Sequence, residues 1–103
     1  MPLAVFTTIH TEEGAEALAR AAVEQRLAAC VHIEEIRSVF RWEGAVQDEP
    51  EFRLLFKSTE AAFDALAALI LEKHPYDEPA LWSLPMGQGS ASFYRWIDGE
   101  TGG

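Results

Sequence analysis

Basic residues are scarce in this chain. Eight Lys and Arg stand against 17 Asp and Glu, a formal charge of −9. Nucleic-acid binding draws most of its affinity from cations that neutralise phosphates. The few present are scattered from Arg20 to Arg95 without a cluster. No nucleic acid is expected as a partner, and an anionic membrane surface is disfavoured on the same ground. Cysteine is nearly absent. Cys30 stands alone, so no intrachain disulfide can form, which fits a reducing compartment. No apolar run approaches the roughly 20 residues of a membrane-spanning helix. Met1 to Phe6 have neither the basic start nor the long apolar core of a secretory signal. The cytoplasm is the expected location.

Chemical signatures are missing too. There is no Gly-x-Gly-x-x-Gly, no Gly-x-x-x-x-Gly-Lys-[Ser/Thr] and no His-Glu-x-x-His, so dinucleotide, P-loop and zinc-protease readings fail. No organic cofactor is expected. No paired carboxylate or nucleophile–base constellation marks a general acid or base, so no catalytic residue is expected and the chain reads as non-enzymatic.

What is present is an ordinary globular composition. The 103 residues are 49% apolar, which is one domain, residues 1–103, with one modest core. Leu3 to Ile9 is apolar on both parities, the mark of a strand buried on both faces. Thr11 is placed to cap a helix whose stripe is Ala15, Leu18, Ala19, Ala22 and Val23. Ala28 to Trp42 is strand-like, but its apolar parity switches. Val31 and Ile33 share one face, whereas Ile36, Phe40 and Trp42 share the other. A β-bulge or bend is expected at Glu34-Glu35. The chain then turns at Trp42-Glu43-Gly44. Phe52, Leu54 and Phe56 point inward in the returning strand, with Glu51, Arg53 and Lys57 outward, and Pro50 marks irregular or edge pairing.

Ser58 or Thr59 is expected to cap a second helix running to about Lys73. Ala80 to Leu84 is a short fourth strand closed by Pro85. Ser90 caps a last helix ended by Gly99, with a frayed tail beyond. The order βαββαβ plus a C-terminal helix is the α+β, ferredoxin-like pattern of an antiparallel sheet with two helices on one face and a long central hairpin. The other sheet face then needs cover. Three Trp and six Phe in so short a chain point to self-association as that cover.

Three places carry possible chemistry. Cys30-Val31-His32 puts a thiol and an imidazole at i and i+2 on one strand face, a pair suited to Cu or Zn, with Glu34 next in line if the strand is regular. Against this, a lone Cys usually packs as a small hydrophobe. His74-Pro75-Tyr76-Asp77-Glu78-Pro79 presents an imidazole, a phenol and two carboxylates on a loop stiffened by two prolines. It could bind a cation or small polar ligand, or simply cap the preceding helix. Lys57 is either a solvated or edge residue or a ligand contact. Phe93, Tyr94, Trp96 and Trp82 read as core or subunit interface.

Taken together, Arg26-Leu27-Ala28-Ala29-Cys30-Val31, Phe40-Arg41-Trp42-Glu43-Gly44, Phe56-Lys57-Ser58-Thr59, His74-Pro75-Tyr76-Asp77-Glu78-Pro79 and Tyr94-Arg95-Trp96-Ile97 resemble the CutA divalent-cation tolerance family in order and spacing. The resemblance covers nearly the whole chain. It implies a ferredoxin-like protomer in a tight homotrimer, similar in build to PII signalling proteins. It also implies a cytoplasmic role in tolerance of copper and other divalent cations, with no catalytic activity. The hairpin would reach a neighbouring subunit, and the metal or small-ligand sites would lie in clefts between subunits. By matching motif this points to Cys30, Lys57, His74 and Tyr76. The expected metal ligands are thus Cys30, His32 and His74, for Cu²⁺ or another divalent metal. Trp42, Lys57, Tyr76, Asp77 and Glu78 are the expected ligand contacts. The chain departs from the family pattern at His32, usually Asn, and at Ala80, where a Glu usually supplies an oxygen ligand. Asp77 keeps the first carboxylate, and Glu78 stands where an apolar residue is usual. The loss at Ala80 favours a second reading, a structural or adaptor trimer, or a PII-like signalling one, without functional metal binding.

Overall fold

The structure, a computed structural model, describes residues 1–102. Its elements in chain order are β1 (Pro2–Ile9), α1 (Glu12–Glu24), β2 (Cys30–Trp42), β3 (Ala45–Thr59), α2 (Phe63–Lys73), β4 (Trp82–Pro85) and α3 (Ala91–Glu100). The strands form one antiparallel sheet in the order β2-β3-β1-β4. β1, apolar on both parities, is interior to the sheet, between β3 and β4. The fold is α+β and ferredoxin-like, with α3 appended.

One sheet face packs on α1 and α2. Val5 and Phe56 are register partners, as are Thr7 and Leu54. All four are fully buried, and the three apolar ones share a core with Ala15, Leu18 and Ala22 of α1 and Leu66 and Ile70 of α2. The alanines let α1 lie close to the strands. At the head of α1 the Thr11 hydroxyl accepts from the Gly14 N–H at 3.1 Å, as its sequence position predicts. Ser90 does the same for α3, accepting from the Phe93 N–H at 3.4 Å. Thr59 accepts from the Ala62 N–H at 3.2 Å, one turn ahead of α2, whereas the Ser58 hydroxyl is drawn inward to the Leu27 carbonyl.

The expected bulge at Glu34-Glu35 does not exist. The β2–β3 ladder keeps one register from Cys30 opposite Lys57 to Trp42 opposite Ala45. Apolar residues change faces because the cover changes. Near Val31 and Ile33 the strand runs beside α1. Beyond that helix Ile36, Phe40 and Trp42 turn to the opposite, open face of the sheet, and no backbone irregularity is required. Pro50 sits inside the same ladder opposite Arg37. β1 ends opposite Phe52, so at Pro50 one side of β3 is free and a missing N–H is tolerated there. Glu43 (φ 49°) and Gly44 (φ 80°) close the hairpin as a two-residue turn with both residues left-handed.

The C-terminal end also differs from expectation. α3 continues through Gly99 to Glu100, and Thr101 is buried. The Arg26 guanidinium donates to the Gly99 carbonyl and ties the helix end to the α1–β2 connection. Gly103 lies outside the described residues. No helix among the described residues is long and apolar enough to cross a membrane.

Candidate functional site

The strand pairing brings Cys30 and Lys57 directly opposite one another on the open face, with Ala4 on the far side of Lys57. Both are half-buried. The Lys57 ammonium lies 5.3 Å from the centroid of the Phe93 ring of α3, within cation–π range. It makes no ion pair among the described residues. Because β2 is regular, Cys30, His32 and Glu34 do share one face. His32 is exposed, opposite Leu55. Glu34 is committed elsewhere, its carboxylate lying 2.6 Å from the Arg53 guanidinium directly across the ladder. Thiol and imidazole are therefore the two donors this strand offers.

His74 belongs to a second, separate cluster. Its ring is buried, and both nitrogens are used. Nε2 lies 2.7 Å from the Thr8 carbonyl, which can only accept, and Nδ1 lies 3.2 Å from the Tyr76 N–H, which can only donate. The partners therefore fix the neutral Nε2–H tautomer. Burial lowers the imidazole pKa below its ordinary value, outweighing the Thr8 carbonyl and the Glu51 charge, which raise it; His10 adds to the lowering. Within the chain, then, neither ring nitrogen of His74 has a free lone pair.

Tyr76 extends this cluster. Its hydroxyl donates to Glu51 Oε2 at 2.7 Å, and its ring touches the His74 ring edge-on at 4.6 Å and stacks on His10 at 5.6 Å. Burial, helped by Glu51, holds the phenol protonated well above the usual tyrosine range. Glu51, read from the sequence as outward, is 8% exposed. Alternation gave its parity correctly. Its burial depends on Tyr76, which is 25 residues away and leaves no local signal.

The remaining expected residues are dispersed. Asp77 and Glu78 are exposed, and Trp42 stands at the hairpin tip, half exposed. At about 3.3 Å per strand residue, Trp42 is ~40 Å along β2 from Cys30. By the same rise Thr8, where His74 is anchored, is ~13 Å along β1 from Ala4, the neighbour of Lys57. Among the described residues no three His, Cys, Asp or Glu side chains converge on a point that could hold a metal ion. At Ala80 the backbone, not a side chain, is engaged, its carbonyl accepting from the Thr7 hydroxyl at 2.6 Å.

The open face around Cys30 and Lys57 is apolar and only partly covered. Phe6 and Trp82, paired across β1 and β4, stack with centroids 4.4 Å apart. Phe93 and Trp96 of α3 stack at 6.1 Å. Even so, Trp82 and Leu84 remain 49% exposed and Trp96 45%. Phe40 and Trp42 are exposed on the hairpin as well, and exposed aromatic side chains that cluster on one face are a mark of interaction surfaces.

Comparison with known proteins is consistent across the whole chain. Residues 3–100 match the family model described as CutA1 divalent ion tolerance protein. The divalent-cation tolerance protein CutA of Thermus thermophilus is 39% identical over 99 residues, covering 95% of this chain and 96% of that protein. The mouse protein CutA is 35% identical over 95% of this chain, which spans 56% of the mouse protein's length. Among solved structures, the divalent cation tolerance protein (Cut A1) of Thermus thermophilus superposes with a TM-score of 0.94 at 39% identity, covering 99% of this chain and 100% of that one. The Archaeoglobus fulgidus CutA, described as a periplasmic divalent cation tolerance protein, gives a TM-score of 0.95 at 32% identity over 98% of this chain and 99% of its own. These names denote tolerance of ions rather than a catalysed reaction, and the chain belongs to the CutA1 divalent ion tolerance protein family.

Proposed function

We propose that the chain is a cytoplasmic, non-enzymatic homotrimer of divalent-cation tolerance, copper foremost, that binds metal or a small ligand in clefts between subunits. The observation that carries this reading is the uncovered apolar face itself. Phe6, Trp82, Leu84, Phe93 and Trp96 lie on the same side of the sheet as the Cys30–Lys57 pair, and a 13-residue strand extends beyond the helices with further aromatics exposed. A second copy seated there would bury these rings and convert an open surface into a cleft. Cys30 and His32 supply the soft sulfur and imidazole donors that copper accepts. Two donors do not complete a site, so the others come from a neighbouring copy. Lys57 and the Tyr76–Glu78 segment are the polar contacts for a small ligand, and Trp42 is carried by the arm toward the adjoining subunit.

Isothermal titration with Cu²⁺ on the wild type and on Cys30→Ser and His32→Ala tests the metal assignment. Unchanged affinity in both variants removes these residues from the site. A second reading, a structural, adaptor or PII-like signalling trimer without functional metal binding, is favoured by the lack of any three-donor convergence among the described residues and by Ala80 in place of a carboxylate. A thermal-shift series with metals, nucleotides and carboxylates separates the two, since this second reading expects no metal response.

A further inference from the structure

We propose that Arg26 is a positioning residue for the Cys30–Lys57 face. Its guanidinium holds the C-terminal end of α3 to the α1–β2 connection and so sets the Phe93 ring over the Lys57 ammonium. The proposal rests on the reading of that face as the binding site.

The starting point is a backbone outlier. α1 ends in a Schellman turn, in which the Leu27 N–H donates to the Ala22 carbonyl at 2.9 Å and the Arg26 N–H to the Val23 carbonyl at 3.0 Å. The turn puts Arg26 in the left-handed region, at φ 59°. Glycine is the residue this position ordinarily takes, because any side chain there strains the backbone. Arg26 is exposed, so core burial does not account for its side chain. An outlier of this kind calls for a reason outside its own element. The end of α3 supplies one. The Arg26 guanidinium donates to the Gly99 carbonyl in the last turn of α3, where carbonyls lack helical partners and a cation is favoured. α3 has no basic residue of its own in that turn.

The backbone of Arg26 meets the same helix end. A Cβ on Gly102 would stand 3.6 Å from the Arg26 carbonyl, and Thr101 beside it is buried. At the other end of α3, the Tyr94 hydroxyl donates to the Gly87 carbonyl at 2.7 Å and Ser90 caps the first turn. Those bonds tie the helix to its own leader. Among the described residues, the Arg26–Gly99 bond is the one hydrogen bond between α3 and an earlier element. Fully buried Ile97 pins α3 at one point, Arg26 pins it at a second, and two points fix the direction of a rigid helix. Phe93 lies six residues from Gly99, about 9 Å along the axis.

That direction decides where the charge of the site stands. Lys57 makes no ion pair among the described residues, and the Phe93 ring 5.3 Å away is what places its ammonium. Cys30 does not depend on the guanidinium. Its approach is held by the Ser58 hydroxyl on the Leu27 carbonyl at 2.6 Å and by the Ala29 N–H on the Lys57 carbonyl at 2.9 Å. Removing the guanidinium therefore moves Phe93 relative to Lys57 and leaves the strand register as it is.

The test is the ring-current shift of the Lys57 side-chain methylene protons, recorded by NMR on the full-length protein. Phe93→Leu defines the value without the ring. Arg26→Gly suits the left-handed turn and lacks only the guanidinium. It should carry the Lys57 shift most of the way to the Phe93→Leu value. Amide protection in the last turn of α3 should fall about threefold to tenfold, as for loss of a charge-assisted bond at an exposed helix end. The amides of Ala22 and Val5 should hold steady. Arg26→Lys keeps a cationic donor and should stay nearer the wild-type shift than Arg26→Gly. An unmoved Lys57 shift in Arg26→Gly, or Arg26→Lys no better than Arg26→Gly, overturns the proposal. So does failure of Arg26→Gly to fold, which would make Arg26 a support of the whole fold. Cu²⁺ titration of the wild type tests the reading of the site separately, and its failure leaves the Lys57 shift to decide the role of Arg26.

Discussion

Cys30 stands directly across from Lys57 in the same unbroken register that sets Trp42 across from Ala45. The site on the sheet and the tip of the arm are therefore two ends of one ladder, and whatever fixes the turn also fixes the arm. Gly44 has φ 80° and nothing within 4 Å of the position a Cβ would take. Replacing it with Val should cost about 1–2 kcal/mol through backbone conformation alone, read from denaturant unfolding at fixed protein concentration. Gly44→Asn should cost clearly less, because Asn tolerates the left-handed region. Equal losses would show that the turn is not what Gly44 secures.

The half-buried Tyr76 bonds the buried Glu51, so removing the phenol strands the carboxylate. Tyr76→Phe should destabilise by about 1–3 kcal/mol, the range for leaving a buried polar group unpaired. In a double-mutant cycle with Glu51→Gln the combined loss should be smaller than the sum of the single losses. Strict additivity would mean that the 2.7 Å contact contributes nothing to stability.

The two histidines singled out by sequence should behave oppositely toward copper. Cys30→Ser and His32→Ala should each weaken Cu²⁺ binding by about tenfold or more, or roughly 1.4 kcal/mol. His74→Gln should leave the affinity nearly unchanged, since both ring nitrogens of His74 are already bonded within the chain. Calorimetry on the three variants at one pH reads this directly. A loss confined to His74→Gln would reverse the assignment.

Much of the fold was legible because its signals are local. The cap at Thr11, the stripe of α1 apart from the exposed Val23, the interior place of β1 in the sheet and the turn at Glu43-Gly44 each follow from a few neighbouring residues. The errors share one physical origin, that cover is not a local property. The parity switch in β2 was a change in what lies over the strand, not a kink in it. Glu51 faces away from the helix layer as alternation requires, yet is buried by a tyrosine from a distant loop. The two partners of His74, a carbonyl on β1 and an amide two residues on, are likewise not marked by the residues around it. The candidate site shows the same division. The residue types were readable, but the strand register decides that Cys30 meets Lys57, and no spacing rule separates that pair from the His74 cluster.

The measurement that bears most directly on the central claim is the sedimentation-equilibrium mass of the protein at micromolar concentration. The account predicts one species at three times the protomer mass, and dissociation when charge is placed on the open face by Trp82→Glu or Leu84→Glu, both half exposed in the protomer. A wild-type protein that sediments as a monomer with Trp82 and Leu84 still exposed would contradict it, because no cleft between subunits would then exist around Cys30.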